Sequence, residues 1–174
     1  MLVSKNNKSN WAFFLIFIHC IGEEETSYQF FFGFMGCANA LVLAVAGAAY
    51  GTAKSSIGIS NLGMVYPEKI FKALVPIIMA GILGIYGMIV AVLICNKASE
   101  NIIPKEGFSL FWAGMATGMS ALASGLAIGV AGEAGVKAYA QTEEIFVGMV
   151  LVLIFGEAIG LYGFIVAIIM ISSG

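Results

Sequence analysis

One ionisable residue stands apart from all others. Glu157 is the only charged side chain in the last apolar run, residues 145–174. A charge at the bilayer centre costs at least ~2.5–3.5 kcal/mol on insertion scales. A carboxyl in such surroundings is driven toward its neutral, protonated form, because a low dielectric penalises the charged one. It rests as an acid against lipid and ionises where it meets water or a positive partner. That is the chemistry of a shuttled proton carrier. The plainer alternative is a carboxyl kept only to hydrogen-bond a neighbouring helix, but Asn, Gln or Ser would do the same at a lower penalty.

The ion follows from the groups that could surround Glu157. Hard cations demand several oxygen ligands. Around position 81, the internal-repeat counterpart of Glu157, stand the apolar Met79, Ile82 and Leu83. The hydroxyls within reach are those of Tyr86, Tyr162, Thr117, Ser120 and Ser124. That set is thin for sodium and sufficient to hydrogen-bond a protonated carboxyl. The reading favours protons, with Tyr86, Tyr162 and Ser120 as neighbours of the carrier.

Other chemistry is poorly supplied. The chain has no Arg and a net charge of −2, so no basic surface exists for nucleic acid. His19 is the only histidine, and Cys20, Cys37 and Cys95 match no zinc or redox spacing. The cysteines read as small hydrophobes. The Gly-rich run from Gly125 to Gly135 lacks the Gly-Lys-Ser/Thr of a phosphate loop. No nucleophile–base pair, metal site or cofactor is expected, and the chain should bind no ATP itself.

The elements that must position Glu157 are set by charge spacing. Of 174 residues, 60% are hydrophobic and 10% charged, far below the ~25% charged residues of a soluble domain. Uncharged runs cover residues 28–53, 73–96, 107–132 and, Glu157 apart, 145–174. Each exceeds the ~20 residues that span a bilayer. Only helices satisfy every backbone group within one such segment. Helices are therefore expected over 28–56, 67–95, 107–134 and 143–171, the second kinked at Pro76. The fold class is an all-α membrane protein of four transmembrane helices in two tandem hairpins, 28–95 and 107–171, joined by a loop at 96–106. Glu133, Glu143 and Glu144 are expected as solvated loop charges, and Lys54 and Lys137 at the membrane–water interface.

Residues 1–27 form an N-terminal extension. Lys5 and Lys8, the short apolar run 11–21 and the triplet Glu23-Glu24-Glu25 give it the layout of a signal segment. An uncleaved interfacial extension is the alternative. Lysines favour a cytosolic side for the first and third connections: Lys54, Lys69, Lys72 and Lys137 lie there, against Lys97 and Lys105 in the second. Both mature termini would then be luminal.

The hairpins repeat each other. Gly36, Gly47 and Gly51 recur at one constant offset as Gly114, Gly125 and Gly129. Gly84-Ile85-Tyr86-Gly87 likewise recurs as Gly160-Leu161-Tyr162-Gly163. Both offsets keep helix order, so the duplication is parallel. In the repeat, Glu157 answers to Gly81, and the unit keeps one carboxyl where two would fit. Fewer carriers per revolution favour a pump working against a steep gradient. Small residues also recur at steps of three and four, through Gly36, Gly47 and Gly51 in the first helix and Gly114, Gly118, Gly125 and Gly129 in the third. Such faces let helix backbones approach closely in lipid. Their length favours a ring, with the first and third helices in a crowded inner layer and the second and fourth outside.

The segments 47–56, 76–87, 125–136 and 155–163 together resemble the c-type proteolipids of eukaryotic V-type proton ATPases, over about residues 28–171. The resemblance implies a rotor ring of proteolipids in a vacuolar or other acidic endomembrane. It turns against a static membrane subunit whose arginine meets each carboxylate, is coupled to a central stalk, and is driven by ATP hydrolysis elsewhere in the complex. Matched by motif, Glu157 is the carboxylate that takes up and releases protons. Gly81 fits the plain c type rather than the double-prime type, whose carboxylate lies in the first hairpin. Two features depart from the pattern: the longer extension, and Gly156 where alanine or serine often precedes the glutamate. A membrane scaffold or junction-type channel of the same hairpins, and a sodium-pumping ring, are the competing readings. A scaffold has no need of a carboxyl at mid-bilayer.

Overall fold

A computed structural model describes residues 28–98 and 104–173. The extension at 1–27, with its signal-segment reading, lies outside the described residues. Among those described, the structure is helical throughout: α1 (Tyr28–Val65), a 3-10 turn (Pro67–Lys69), α2 (Ile70–Ala73), α3 (Val75–Lys97), α4 (Pro104–Gln141) and α5 (Ile145–Ser173). Four segments are long and apolar enough to cross a membrane, over Phe30–Val65, Pro67–Lys97, Lys105–Gln141 and Ile145–Ser173.

Two helices outrun their expected ends. The end at 56 moves to Val65 and the end at 134 to Gln141, so that α1 and α4 each have 38 residues. At ~1.5 Å per residue each is about 57 Å long, well beyond a hydrocarbon core of ~30 Å. Glu133 is consequently a helical residue and not a solvated loop charge. Its carboxylate accepts from Lys54 Nζ at 2.9 Å and from Lys137 Nζ at 2.6 Å, with the side chain 15% exposed. Lys137 is one turn further along the same helix, a spacing that supports helix rather than ending it. Charges that satisfy one another across α1 and α4 leave the backbone free to stay helical. The second span does break, at Leu74. Pro76 has no N–H to donate one turn back, and Leu74 closes the gap by accepting from Ile77 and Ile78 at 3.1 and 3.2 Å.

The helices form two layers, α1 against α4, backed by α3 and α5. The glycine faces of α1 and α4 meet each other inside one chain. A Cβ built on Gly36 would lie 2.5 Å from the Leu110 carbonyl oxygen, and one on Gly47 2.6 Å from that of Ala121. Gly114 and Gly125 in turn abut the carbonyls of Gly36 and Gly47. Each of these glycines of α1 thus faces its own repeat counterpart, as two parallel helices in register must. Any side chain at these contacts would push the backbones apart. The two small-residue stripes therefore build the intrachain pair, rather than remaining free for contacts between chains.

Apolar side chains cover the outside. Phe71, Val147, Ile78 and Phe155 are among many large hydrophobics left exposed, as expected of surfaces that meet lipid or neighbouring apolar helices and not water.

Candidate functional site

Glu157 lies midway along α5 and is half-buried. Glu157 is the only charged residue of α5, and among the described residues no side chain of its own helix bonds to it. The partner comes from α3. Tyr86 donates its hydroxyl to Glu157 Oε1 at 3.2 Å. Its ring is held by stacking on Phe164, with centroids 5.1 Å apart and planes at 29°. Phe164 lies seven residues beyond Glu157, two turns along the same face of α5. The Tyr86 ring therefore runs along that face from Phe164 back to the carboxyl. Below it, Leu83 packs against Gly160, where a Cβ would come within 2.6 Å of Leu83 Cδ2.

The opposite flank of α5 is pinned to α4 by hydroxyls. Ser124 donates to the Gly156 carbonyl at 2.7 Å, Ser120 to that of Gly160 at 3.5 Å, and Thr117 to that of Gly163 at 3.4 Å. Ser120 makes its shorter bond, 3.0 Å, to the Thr117 carbonyl in its own helix. Steps of three and four in α4 meet steps of four and three in α5, the mark of antiparallel neighbours. Thr117 and Ser124 are fully buried. No donor from this ladder reaches the Glu157 carboxyl.

Of the neighbours expected from sequence, Tyr86 meets Glu157 and two others do not. Ser120 bonds to backbone carbonyls. Tyr162 is 64% exposed; five residues beyond Glu157, it falls well round the helix from the carboxyl at ~3.6 residues per turn. Ser124 is one of the hydroxyls expected within reach of Glu157, with no separate role expected of it. Its signal was a hydroxyl stripe at 117, 120 and 124 complementary to glycines at 163, 160 and 156. Among the helix-packing glycines, Gly118 abuts Asn39 and Leu43, and Gly51 and Gly129 approach each other.

The two ends of the bundle differ. At the end holding the α1–α3 and α4–α5 connections, Lys69 pairs with Glu143 at 2.9 Å and lies over the Tyr66 and Tyr139 rings, 4.9 and 5.7 Å from their centroids. The hydrogen bond and charge of Lys69, with Lys72 beyond, hold the Glu143 carboxyl below its usual range. At the other end Lys97 donates to the Ile171 carbonyl and caps α5. Cys37 donates weakly to the Ala91 carbonyl at 3.3 Å. Among the described residues, no three His, Cys, Asp or Glu side chains come together as a metal site requires.

Glu157 is thus an acid in the middle of an apolar helix, met among the described residues by one side-chain donor, the phenol of Tyr86. The family model of the ATP synthase C subunit matches twice, over residues 35–94 and 111–170. The V-type proton ATPase 16 kDa proteolipid from Ascaris suum is 50% identical over 153 residues, covering 86% of this chain and 95% of its own. That from Rattus norvegicus is 50% identical over 148 residues, covering 85% and 96%. A 16 kDa proteolipid from Caenorhabditis elegans is 49% identical over 153 residues, covering 86% and 95%.

Proposed function

The chain belongs to the family of V-type proton ATPase 16 kDa proteolipids of the c type, multi-pass components of a proton-transporting membrane sector, and we propose that Glu157 is the group on which it carries the proton. The observation that carries this reading is the Glu157–Tyr86 hydrogen bond at mid-helix, the one place among the described residues where a carboxyl accepts from an uncharged side chain.

In the proposed cycle the neutral carboxyl accepts from Tyr86 while it faces lipid, where its charge would be penalised. Rotation of a ring of such chains brings it to a static membrane subunit. There an arginine of that subunit stabilises the carboxylate, the proton leaves, and a new one is taken from the other side. ATP hydrolysis elsewhere in the complex, transmitted through a central stalk, supplies the work. This chain acts as a component of that complex and not as an enzyme by itself. Protons are favoured over sodium because the α4 hydroxyls are turned to carbonyls, leaving one phenol oxygen at the carboxyl. The lysine-rich connections are assigned to the cytosol and both mature termini to the lumen of an acidic endomembrane compartment such as the vacuole.

The test is Glu157→Gln in the assembled complex. Gln keeps the shape and hydrogen bonding but cannot release a proton. ATP-driven proton uptake into sealed vesicles should fall by at least about a hundredfold, with the chain still present in the complex. Uptake within twofold of the parent would overturn the assignment and favour the scaffold reading.

A further inference from the structure

The α5 helix carries Glu157 in its most glycine-rich stretch. Gly156, Gly160 and Gly163 fall within eight residues, and glycine is the weakest helix former after proline. A carboxyl that must present itself in one direction is thus mounted where its helix has the lowest intrinsic helix propensity. The stiffening comes from outside, through the hydroxyl ladder of α4. Its shortest bond, 2.7 Å from Ser124, ends on the carbonyl of Gly156, the residue next to Glu157, whereas those to Gly160 and Gly163 measure 3.5 and 3.4 Å. Ser124 is fully buried and makes this one side-chain bond. Gly156 itself packs on Ile128, one turn beyond Ser124 in α4.

We propose that Ser124 is a positioning residue for Glu157: its hydroxyl, donated to the Gly156 carbonyl, fixes the rotation of the α5 turn that aims the carboxyl at Tyr86. This inference rests on the carrier reading of Glu157. The Ser124 hydroxyl touches no reacting atom and acts only through the backbone of α5. The Gly156 carbonyl lies inside a continuous helix and keeps its intrahelical partner when the hydroxyl is lost. Removal of the hydroxyl therefore orphans no buried acceptor, and the chain should still assemble.

The experiment uses the full complex in sealed vesicles. Three quantities are read: the amount of this chain incorporated, proton uptake per ATP hydrolysed, and the infrared band of the protonated Glu157 carboxyl, identified by its absence in Glu157→Gln. Ser124→Ala should keep incorporation, lower uptake roughly tenfold, and shift the carboxyl band toward that of an acid with a weaker hydrogen bond. Ser124→Thr, which retains the donor, should restore the band. Ser124→Cys, near in shape but a weak donor, should fall between parent and Ser124→Ala. Adding Gly156→Ala to Ser124→Ala stiffens the same turn from within and should recover at least half of the lost uptake, provided Ile128, whose Cγ1 a Cβ there meets at 3.2 Å, gives by a few tenths of an ångström. An unchanged band and uptake in Ser124→Ala would overturn the proposal, as would a Ser124→Thr variant as impaired as Ser124→Ala. Should Ser124→Ala fail to assemble, Ser124→Cys decides, and a parental band there overturns the proposal. Failure of the carrier reading would look different: Glu157→Gln would pump, and the positioning role would fall with it.

Discussion

In the second hairpin Glu157 is held by a phenol on one flank and a backbone pinned by hydroxyls on the other. At the matching position of the first hairpin stands Gly81, and a Cβ built there meets nothing within 4 Å. The contrast extends to every supporting part. Thr117, Ser120 and Ser124 of α4 answer, at the repeat offset, to Asn39, Val42 and Ala46 of α1. Tyr86, which serves the carboxyl, answers to Tyr162, which faces outward. The first hairpin joins its helices through small residues, with Gly87 seated against Ala40 and Ala44. Both halves therefore share the packing plan of small residues at helix contacts, while the acid and the hydroxyl ladder stand in the second half and the phenol that meets the acid comes from the first. A duplicated scaffold needs the glycines and alanines twice. On the carrier reading proposed above, it would need the acid and its support once, and one acid for every two hairpins would mean fewer protons per revolution and more work available for each.

The sharpest way to break this comparison is to move the acid. Gly81→Glu in a Glu157→Gln chain adds a carboxyl in open space, so assembly should survive. Lacking a phenol and the hydroxyl ladder, it should pump at less than about a hundredth of the parental rate. Recovery to within tenfold would show that depth alone makes a carrier. A smaller effect is expected from Tyr86→Phe, which keeps the stacking on Phe164 and removes only the hydroxyl. One hydrogen bond of ~0.5–1.5 kcal/mol is at stake, so proton uptake should drop by roughly threefold to tenfold, with the chain still incorporated. The matching Tyr162→Phe change should leave uptake unaltered.

The smallest effect lies outside the membrane. The Lys69 hydrogen bond lowers the folded value of Glu143 relative to the unfolded chain. The ion pair that ties the two connections together is therefore present in full above the unfolded carboxylate range. It is lost as pH falls through the lower, folded value. Thermal dissociation of the solubilised complex should show Glu143→Gln slightly less stable than the parent at neutral pH. In acid the two should converge. A difference that grows on acidification would contradict the pairing.

Much of this was legible in the residues. Charge spacing located four spans, constant offsets between matching glycines exposed the duplication, and isolation singled out Glu157. What stayed hidden depends on helix rotation and on partners distant in sequence. Charges at Lys54, Glu133 and Lys137 looked like the end of two helices, because a sequence does not display that they neutralise one another across α1 and α4. The glycine stripes signalled close packing but not their partner, and they face each other within the chain. Tyr86 and Tyr162 occupy equivalent places in the repeat, yet only the rotation of α3 relative to α5 decides which one meets the acid. The hydroxyls of α4 could equally have bonded a carboxyl or a carbonyl. The glycines opposite them, which bring the α5 backbone within reach, settled that choice.

The central claim is that Glu157 alone is a protonated acid in an apolar setting and that its protonation is coupled to transport. A hydrophobic carbodiimide attacks that species selectively. Membranes carrying the intact complex should be treated with it, the chain mapped by mass spectrometry, and ATP-driven proton uptake followed in parallel. The account predicts modification at Glu157 and at no other carboxyl, loss of uptake in step with labelling, and no protection by sodium. An unlabelled Glu157, or full labelling with uptake intact, would contradict it.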